Sequence, residues 1–291
     1  MDADDLILVA GATGNTGSAL LQELEARGAR VRAMVRSQKD ELRLTGAVAG
    51  TVVANFDDPA SLASALNGVT RAYLITPSSP DAEAQQRRFA EHAAAAGVTH
   101  LVKLSQFAAN EASPVRFLRY HAAVERRIRE LGVGFTFLRP NLYFQGLLAF
   151  QSMIATQGHF VAPVGEARVS AVDVRDIAAV AACALTESGH EGKTYTITGP
   201  AAVTHSEMAD AIGKAIGRPV AFMDVPSDAF AGALKAAGVP AWQVDGLVED
   251  YAHYARGEAA TISPHVREVT GRDPRGLGEF ARDYAQAFLA A

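Results

Sequence analysis

Leu6-Ile7-Leu8-Val9-Ala10-Gly11-Ala12-Thr13-Gly14-Asn15-Thr16-Gly17 reads as a strand, a glycine-rich turn and the opening of a helix. Its first five residues are all apolar, as a strand covered on both faces must be, so they belong at the centre of a sheet. Leu20, Leu21 and Leu24 then fall on one side of the helix that follows. In this setting glycines permit a tight turn and let backbone N–H groups approach a pyrophosphate, while the helix N-terminus lends partial positive charge. Gly11, Thr13, Gly14, Asn15, Thr16 and Gly17 are therefore candidate dinucleotide-binding residues. The spacing, G-x-x-G-x-x-G, departs from the G-x-G-x-x-G of ordinary dehydrogenases. A glycine-rich turn that holds no ligand is the plainer alternative.

Around this stretch the chain alternates short β-branched runs with amphipathic segments, the pattern of βαβ units and a parallel sheet. Strands are expected at Leu6–Ala10, Arg30–Arg36, Gly50–Ala54, Arg71–Ile75, His100–Leu104 and Gly134–Leu138, the first five each followed by a helix. Asp58-Pro59 and Ser113-Pro114 read as helix starts, a capping side chain followed by proline at the first helical position. After Arg139 the rhythm changes to a segment rich in large apolar residues, Asn141 to Gly158. A helix Asp173–Glu187 and a strand Lys193–Thr198 read as a return to the first sheet. Thr204-His205-Ser206-Glu207 reads as a capping box, and Arg218 to Val225 as a strand of a smaller unit. The expectation is an α/β fold, a Rossmann-type doubly wound parallel sheet over 1–155 rejoined by 168–200. A smaller C-terminal α/β substrate lobe takes 156–167 and 201–291.

Composition narrows the classes of function. Among 291 residues, 27 Lys and Arg face 32 Asp and Glu for a net charge of −5, which is not the footprint of a nucleic-acid binder. The arginines between Arg116 and Arg129 alternate with Glu125 and Glu130 and read as a solvated helix face. The longest apolar run, Ile177 to Leu185, is nine residues, against roughly 20 for a membrane-spanning helix. The start, Met1-Asp2-Ala3-Asp4-Asp5, is acidic where a secretory signal is basic, and Cys183 is the only cysteine, so a cytoplasmic location is expected. The eight histidines never fall at the spacings of local metal motifs, and no metal is expected.

Cofactor choice is read at the end of the second strand. An NAD enzyme places an acid there to accept from the ribose hydroxyls, whereas this chain has Val35-Arg36-Ser37, which suits the 2′-phosphate of NADP(H). Arg36 is otherwise a surface arginine at a strand end. Asn55-Phe56-Asp57 follows the third strand at the same edge: Phe56 is placed to flank the adenine, and Asp57 either accepts from its amino group or, with Asp58, caps the next helix. Ser105, Gln106 and Phe107 leave the fifth strand, and Thr76 and Pro77 the fourth, at the ends where open α/β sheets bind ligands. Phe117, His121, Val124, Ile128 and Leu131 form one stripe of a helix. Inward-facing His121 is either a satisfied core histidine or a working one, with Glu125 one turn on as its expected partner.

Five segments, Gly11-Ala12-Thr13-Gly14-Asn15-Thr16-Gly17, Val35-Arg36, Tyr120-His121-Ala122-Ala123-Val124-Glu125, Phe135 to Asn141 and Ser188 to Tyr195, together resemble the NmrA-like atypical short-chain dehydrogenase/reductases. The likeness spans about 1–220. Within the family it is most similar to flavin-free NAD(P)H-dependent quinone, azo dye and triphenylmethane dye reductases. The resemblance implies a Rossmann domain binding NADP(H) with a smaller lobe closing over the nicotinamide. It implies that Thr76, Pro77, Asn141, Leu142, Tyr143 and Phe144 lie along the nicotinamide half. It also puts His121 where isoflavone-reductase-like relatives carry a lysine on the nicotinamide ribose, to orient the cofactor or donate a proton. His121 and Tyr143 are thus the candidate catalytic residues.

Ordinary short-chain dehydrogenases use Tyr-x-x-x-Lys to move a proton, and none of the seven tyrosines here has a lysine four residues on. The expected function is therefore an NADPH-dependent, flavin-free hydride transfer to an electron-poor acceptor, a small aromatic or quinonoid molecule. Tyr143, Phe144, Phe150 and Met153 are expected to line its slot, with plain core packing the alternative for Phe144 and Phe150. The competing reading is an NADP(H)-binding redox sensor that turns nothing over. No nucleic-acid or membrane partner is expected, and no oligomeric state follows from the sequence.

Overall fold

The computed structural model describes residues 5–44, 46 and 48–289; the acidic start Met1 to Asp4 lies outside the described residues. The chain divides into two compact units: Met1–Ser113, Leu118–Arg139 and Val174–Thr196 make the first, and Pro114–Phe117, Pro140–Asp173 and Ile197–Ala291 the second.

The first unit holds β1 (Leu6–Val9), α1 (Asn15–Ala26), β2 (Arg30–Val35), α2 (Gln38–Glu41), β3 (Gly50–Val53), α3 (Pro59–Leu66), β4 (Arg71–Leu74), α4 (Ala82–Ala95) and β5 (His100–Leu104). It continues through α5 (Arg116–Glu130) from Leu118 onward and through β6 (Gly134–Pro140) as far as Arg139. After α6 (Gln151–Gln157) and β7 (His159–Ala162), α7 (Val174–Thr186) and β8 (Lys193–Ile197) return to it. Seven strands form one sheet in the order β3-β2-β1-β4-β5-β6-β8. The pairs β1–β2, β1–β4, β2–β3, β4–β5 and β5–β6 are parallel. This is the doubly wound order, in which the direction of winding reverses between β1 and β4 and leaves a crevice at their carboxyl ends. β1 is buried throughout, with neighbours on both sides, as its unbroken apolar run requires. Leu8, Leu62, Leu74, Phe89, Leu101, Ile128 and Phe137 share the core. The alanines of α7 let it pack closely along α1, and Val174 and Asp176 to Leu185 are all buried.

Asp58 caps α3, accepting from the Ala60 N–H at 3.0 Å with Pro59 at the first turn; such a cap contributes about 1 kcal/mol. α5 starts at Arg116, two residues beyond the expected Pro114, and the Arg116 N–H donates to the Glu249 carboxylate at 2.7 Å.

The second unit contains α6, β7, α8 (His205–Ile216), β9 (Ala221–Asp224), α9 (Ser227–Ala236), α10 (Ala241–Ala255), α11 (His265–Thr270), α12 (Leu277–Asp283) and α13 (Ala285–Leu289). β7 and β9 form a two-stranded parallel sheet. The capping box of α8 is present, Thr204 and Glu207 exchanging hydrogen bonds at 3.1 and 2.9 Å. The boundary between units falls at Arg139–Pro140, not near 155, because Phe144, Leu147 and Ile154 bury themselves with Phe160, Met208, Ile212 and Phe280. Large apolar side chains, not strand order, decide where this segment belongs. Among the described residues no helix is long and apolar enough to cross a membrane.

Candidate functional site

The crevice at the carboxyl ends of β1 to β4 holds a cavity of about 270 Å³, lined by Gly11, Thr13 and Gly14 after β1, Met34, Val35 and Arg36 ending β2, Ala54 and Phe56 after β3, and Ile75, Thr76 and Pro77 after β4. Arg43 completes the wall. Gly11 has φ +63°, and a Cβ at Gly17 would sit 2.1 Å from the Gly11 carbonyl oxygen, so this turn closes only on glycine. Gly14 is the N-cap of α1 and provides no side-chain cap, which leaves the first-turn N–H groups of Asn15, Thr16 and Gly17 without helical acceptors. An anion is the natural partner for donors at that end of a helix dipole. Thr16 itself is buried, its hydroxyl hydrogen-bonded to Tyr73. Thr76 is held by Gln86, whose amide donates to the Thr76 hydroxyl at 2.8 Å.

Two cations face this cavity. Arg36 was legible at its strand end; Arg43, beyond α2, was not, because nothing in its spacing ties it to the glycines. Asp40 pairs with Arg43 at 3.3 Å and accepts from Ser37. The Ser37 hydroxyl, then Arg36 and Arg43, hold its carboxyl below the usual range. The cradle, the open helix end and the two guanidinium groups fit a dinucleotide carrying a further phosphate. Asp57 accepts from Gln85 at 2.8 Å and pairs with Arg88 at 2.9 Å, while Asp58 does the capping.

A second cluster gathers Ser105 and His121 in the first unit. Lys103, fully buried in β5, brings its Nζ to 2.7 Å from His121 Nδ1. Glu125, the expected partner of His121, instead accepts from Ser105 at 2.6 Å and pairs with Arg139 at 2.6 Å and Arg129 at 3.3 Å. The guanidinium of Arg139 draws the carboxylate away, since a bidentate pair outweighs a neutral imidazole. Burial pushes Glu125 up, but the hydrogen bonds from Arg139 and Ser105 hold it below its ordinary value. Burial, then Lys103 and Arg139, hold His121 well below its ordinary value, so it stays neutral at neutral pH. The inward stripe holds: Phe117, His121, Val124 and Ile128 are buried. Four arginines of α5 pair with acids, Arg116 with Glu249, Arg126 with Glu111, Arg127 with Glu91 and Arg129 with Glu125. Sequence reasoning missed Lys103; the signal that could have found it is a lysine in the largely apolar strand His100-Leu101-Val102-Lys103-Leu104.

Asn141 and Tyr143 lie in the second unit. Both amide protons of Asn141 are spent, on Ser170 Oγ and the Ala259 carbonyl at 2.8 Å each, and its oxygen accepts from the Leu142 N–H. Tyr143 is half-buried and bridged to Val172. Of the two readings of these rings the core one holds: Phe144 stacks on Phe280 at 5.4 Å and Phe150 lies tilted against Phe160 at 5.8 Å, both packed in the core of this unit. Apolar burial claims these rings first. Among the described residues no three acids, histidines or cysteines gather to hold a metal.

The fold and the crevice define a dinucleotide-binding α/β protein of the doubly wound type. The chain belongs to the NmrA-like family, whose profile matches residues 3–280. It is 35% identical over 286 residues to an NAD(P)H azoreductase of Xenophilus azovorans, covering 98% of this chain and 100% of that one. It is 37% identical to the (4-alkanoyl-5-oxo-2,5-dihydrofuran-3-yl)methyl phosphate reductase of Streptomyces griseus, over 97% of this chain and 99% of that one. An Escherichia coli NADPH-dependent quinone oxidoreductase solved with NADPH superimposes with a TM-score of 0.84 at 27% identity, over 95% of this chain and 99% of that one.

Proposed function

We propose that this protein is an NADPH-dependent, flavin-free reductase whose acceptor is an electron-poor conjugated molecule of the quinone, azo or cationic dye type. It is an NAD(P)H-dependent oxidoreductase of the NmrA-like family. The observation that carries the reading is the crevice of β1 to β4, where an uncapped helix end and a glycine cradle share one cavity with Arg36 and Arg43. NADPH, when bound, supplies a hydride from C4 of its nicotinamide. Gly11, Thr13, Gly14, Asn15, Thr16 and Gly17 hold the pyrophosphate, Arg36 and Arg43 the 2′-phosphate, Phe56 flanks the adenine, and Thr76 and Pro77 continue the wall beyond it. His121 faces the reaction as a neutral imidazole, and Tyr143 is the second candidate catalytic residue. Relatives named for azo, quinone and dihydrofuranone substrates support an acceptor that takes hydride readily. Positioning then supplies most of the rate, in keeping with the missing Tyr-x-x-x-Lys. A single cysteine and an acidic balance accord with a cytoplasmic setting.

The test is oxidation of NADPH by the purified protein across quinones, azo compounds and cationic dyes, using NADPH deuterated at C4. Multiple turnovers with deuterium in the product and no bound flavin are expected. Tight NADPH binding with no turnover on any acceptor would favour the sensor reading instead.

A further inference from the structure

Lys103 is a buried lysine whose hydrogen-bonded partners include no carboxylate. Nζ reaches the Leu104 carbonyl at 3.1 Å and His121 Nδ1 at 2.7 Å. Glu125, the nearby acid, spends its oxygens on Ser105, Arg139 and Arg129. Burial lowers Lys103 to about 7, with Glu125 raising it and Arg139 lowering it further. An ammonium has three protons and no lone pair, so toward Nδ1 it donates. The single proton of the neutral ring then sits on Nε2. Among the described residues the ring of His121 hydrogen-bonds through Nδ1, to Lys103, and His121 keeps 9% of its exposure where Lys103 keeps none. The pair thus has a closed end at the lysine and an open end at Nε2.

We propose that Lys103 and His121 form a two-residue proton relay that delivers the proton accompanying hydride transfer, an inference that rests on the reductase reading above. Reduction of a quinone or an N=N bond takes a hydride, which carries both electrons, and one proton. In the relay the Nε2–H bond breaks as the proton bonds to the anionic oxygen or nitrogen of the acceptor. Nδ1 takes a proton from Nζ in the same step. His121 begins and ends neutral, changing only its tautomer, and Lys103 ends as a neutral amine. After product leaves, water returns a proton to Nε2 and the sequence runs backwards to restore the ammonium. The ring therefore need not become an imidazolium, which the Lys103 and Arg139 charges oppose. A lysine poised near neutrality gives up its proton at little cost at working pH. Lys103 is a positioning residue, acting on the acceptor only through His121.

The test compares acceptors that differ in proton demand. A triphenylmethane or acridinium cation is neutralised by hydride alone, whereas a quinone needs the proton too. Lys103→Met should lower the ratio of quinone to cationic-dye turnover by roughly tenfold or more, the scale of general acid catalysis, and His121→Ala should lower it alike. A ratio unchanged in Lys103→Met, whether both rates fall together or neither does, overturns the relay. Independently of activity, 15N spectra of histidine-labelled, cofactor-free protein near pH 6 should show His121 as the Nε2–H tautomer and lose that preference in Lys103→Met. A wild-type ring protonated on Nδ1 alone overturns the relay as well. Absence of wild-type turnover with every acceptor sinks the reductase reading, whereas wild-type turnover with an unchanged ratio sinks the relay alone.

Discussion

Arg36 and Arg43 line one cavity from two stretches of chain, the end of β2 and the turn after α2. Both are expected to bear on the 2′-phosphate, so NADPH should bind more tightly than NADH. Arg36→Ala should narrow that gap by ~1–3 kcal/mol, the range for a charge-assisted hydrogen bond. Arg43→Ala should narrow it less, because Asp40 already takes part of its charge. Titration of both cofactors against the single and double variants checks this, and a wild type that binds them equally would remove the claim. Arg36 was legible because a strand end fixes where its side chain starts. Arg43 was not, because its place depends on a turn whose path the spacing does not set. Lys103 was missed in the sequence, where it stands as a charge in a largely apolar strand, because its partner His121 is 18 residues away and only the packing of α5 on the sheet joins them.

At the scale of elements, the turn into α1 separates two glycines that look alike in the sequence. Gly14 has ordinary extended angles, φ −84° and ψ 171°, and a Cβ there meets nothing closer than the Gly11 oxygen at 3.3 Å. Gly14→Val should therefore leave the melting temperature nearly unchanged while abolishing binding of both cofactors, since its methyl groups stand in the cavity. Gly17→Ala should destabilise the fold itself by ~1–3 kcal/mol, as its Cβ has backbone in the way and the loop must shift. Thermal unfolding set beside cofactor titration distinguishes them; a fully stable Gly17→Ala would show the turn to be softer than its geometry. The strands of the main sheet were legible to within a residue or two because each is an apolar run bounded by turn residues. β7 escaped notice, since four residues carry too little alternation to stand out from the apolar segment before them.

For the molecule as a whole, acid stability turns on buried histidines, and His205 is the most isolated of them. It is 1% exposed at the start of α8, with Phe222 at 5.3 Å, Tyr251 at 5.7 Å and Phe160 at 6.3 Å, and among the described residues neither ring nitrogen has a hydrogen-bond partner. Burial lowers it from 6.5 to about 4. Above pH 6.5 neither the folded nor the unfolded ring binds a proton, and the full stability is present. Between 6.5 and about 4 only the unfolded chain takes one up, so stability falls with pH, and below about 4 the loss levels off. At 1.36 kcal/mol per pH unit the loss comes to about 3 kcal/mol. His205→Phe should flatten the dependence of unfolding free energy on pH across this window, measured by denaturant titration. A variant as acid-sensitive as the wild type would exclude His205 as the source.

What the sequence determined by itself is the local and periodic part of this protein: the doubly wound α/β class, the glycine turn on its first strand, the basic end of β2 and the inward face of α5. Each follows from residues within one or two turns of one another, where period, capping and turn chemistry act. The tertiary structure decided what depends on competition between distant groups. Glu125 chose Arg139 over His121 because a guanidinium offers a charge and two donors where an imidazole offers neither. Phe144 and Phe150 left the expected slot for a core that no neighbouring residue reveals, and Asn141 spent its amide on chain 29 and 118 residues away. Burial and ion pairing are settled by which partner is nearest in space, and spacing along the chain does not contain that distance.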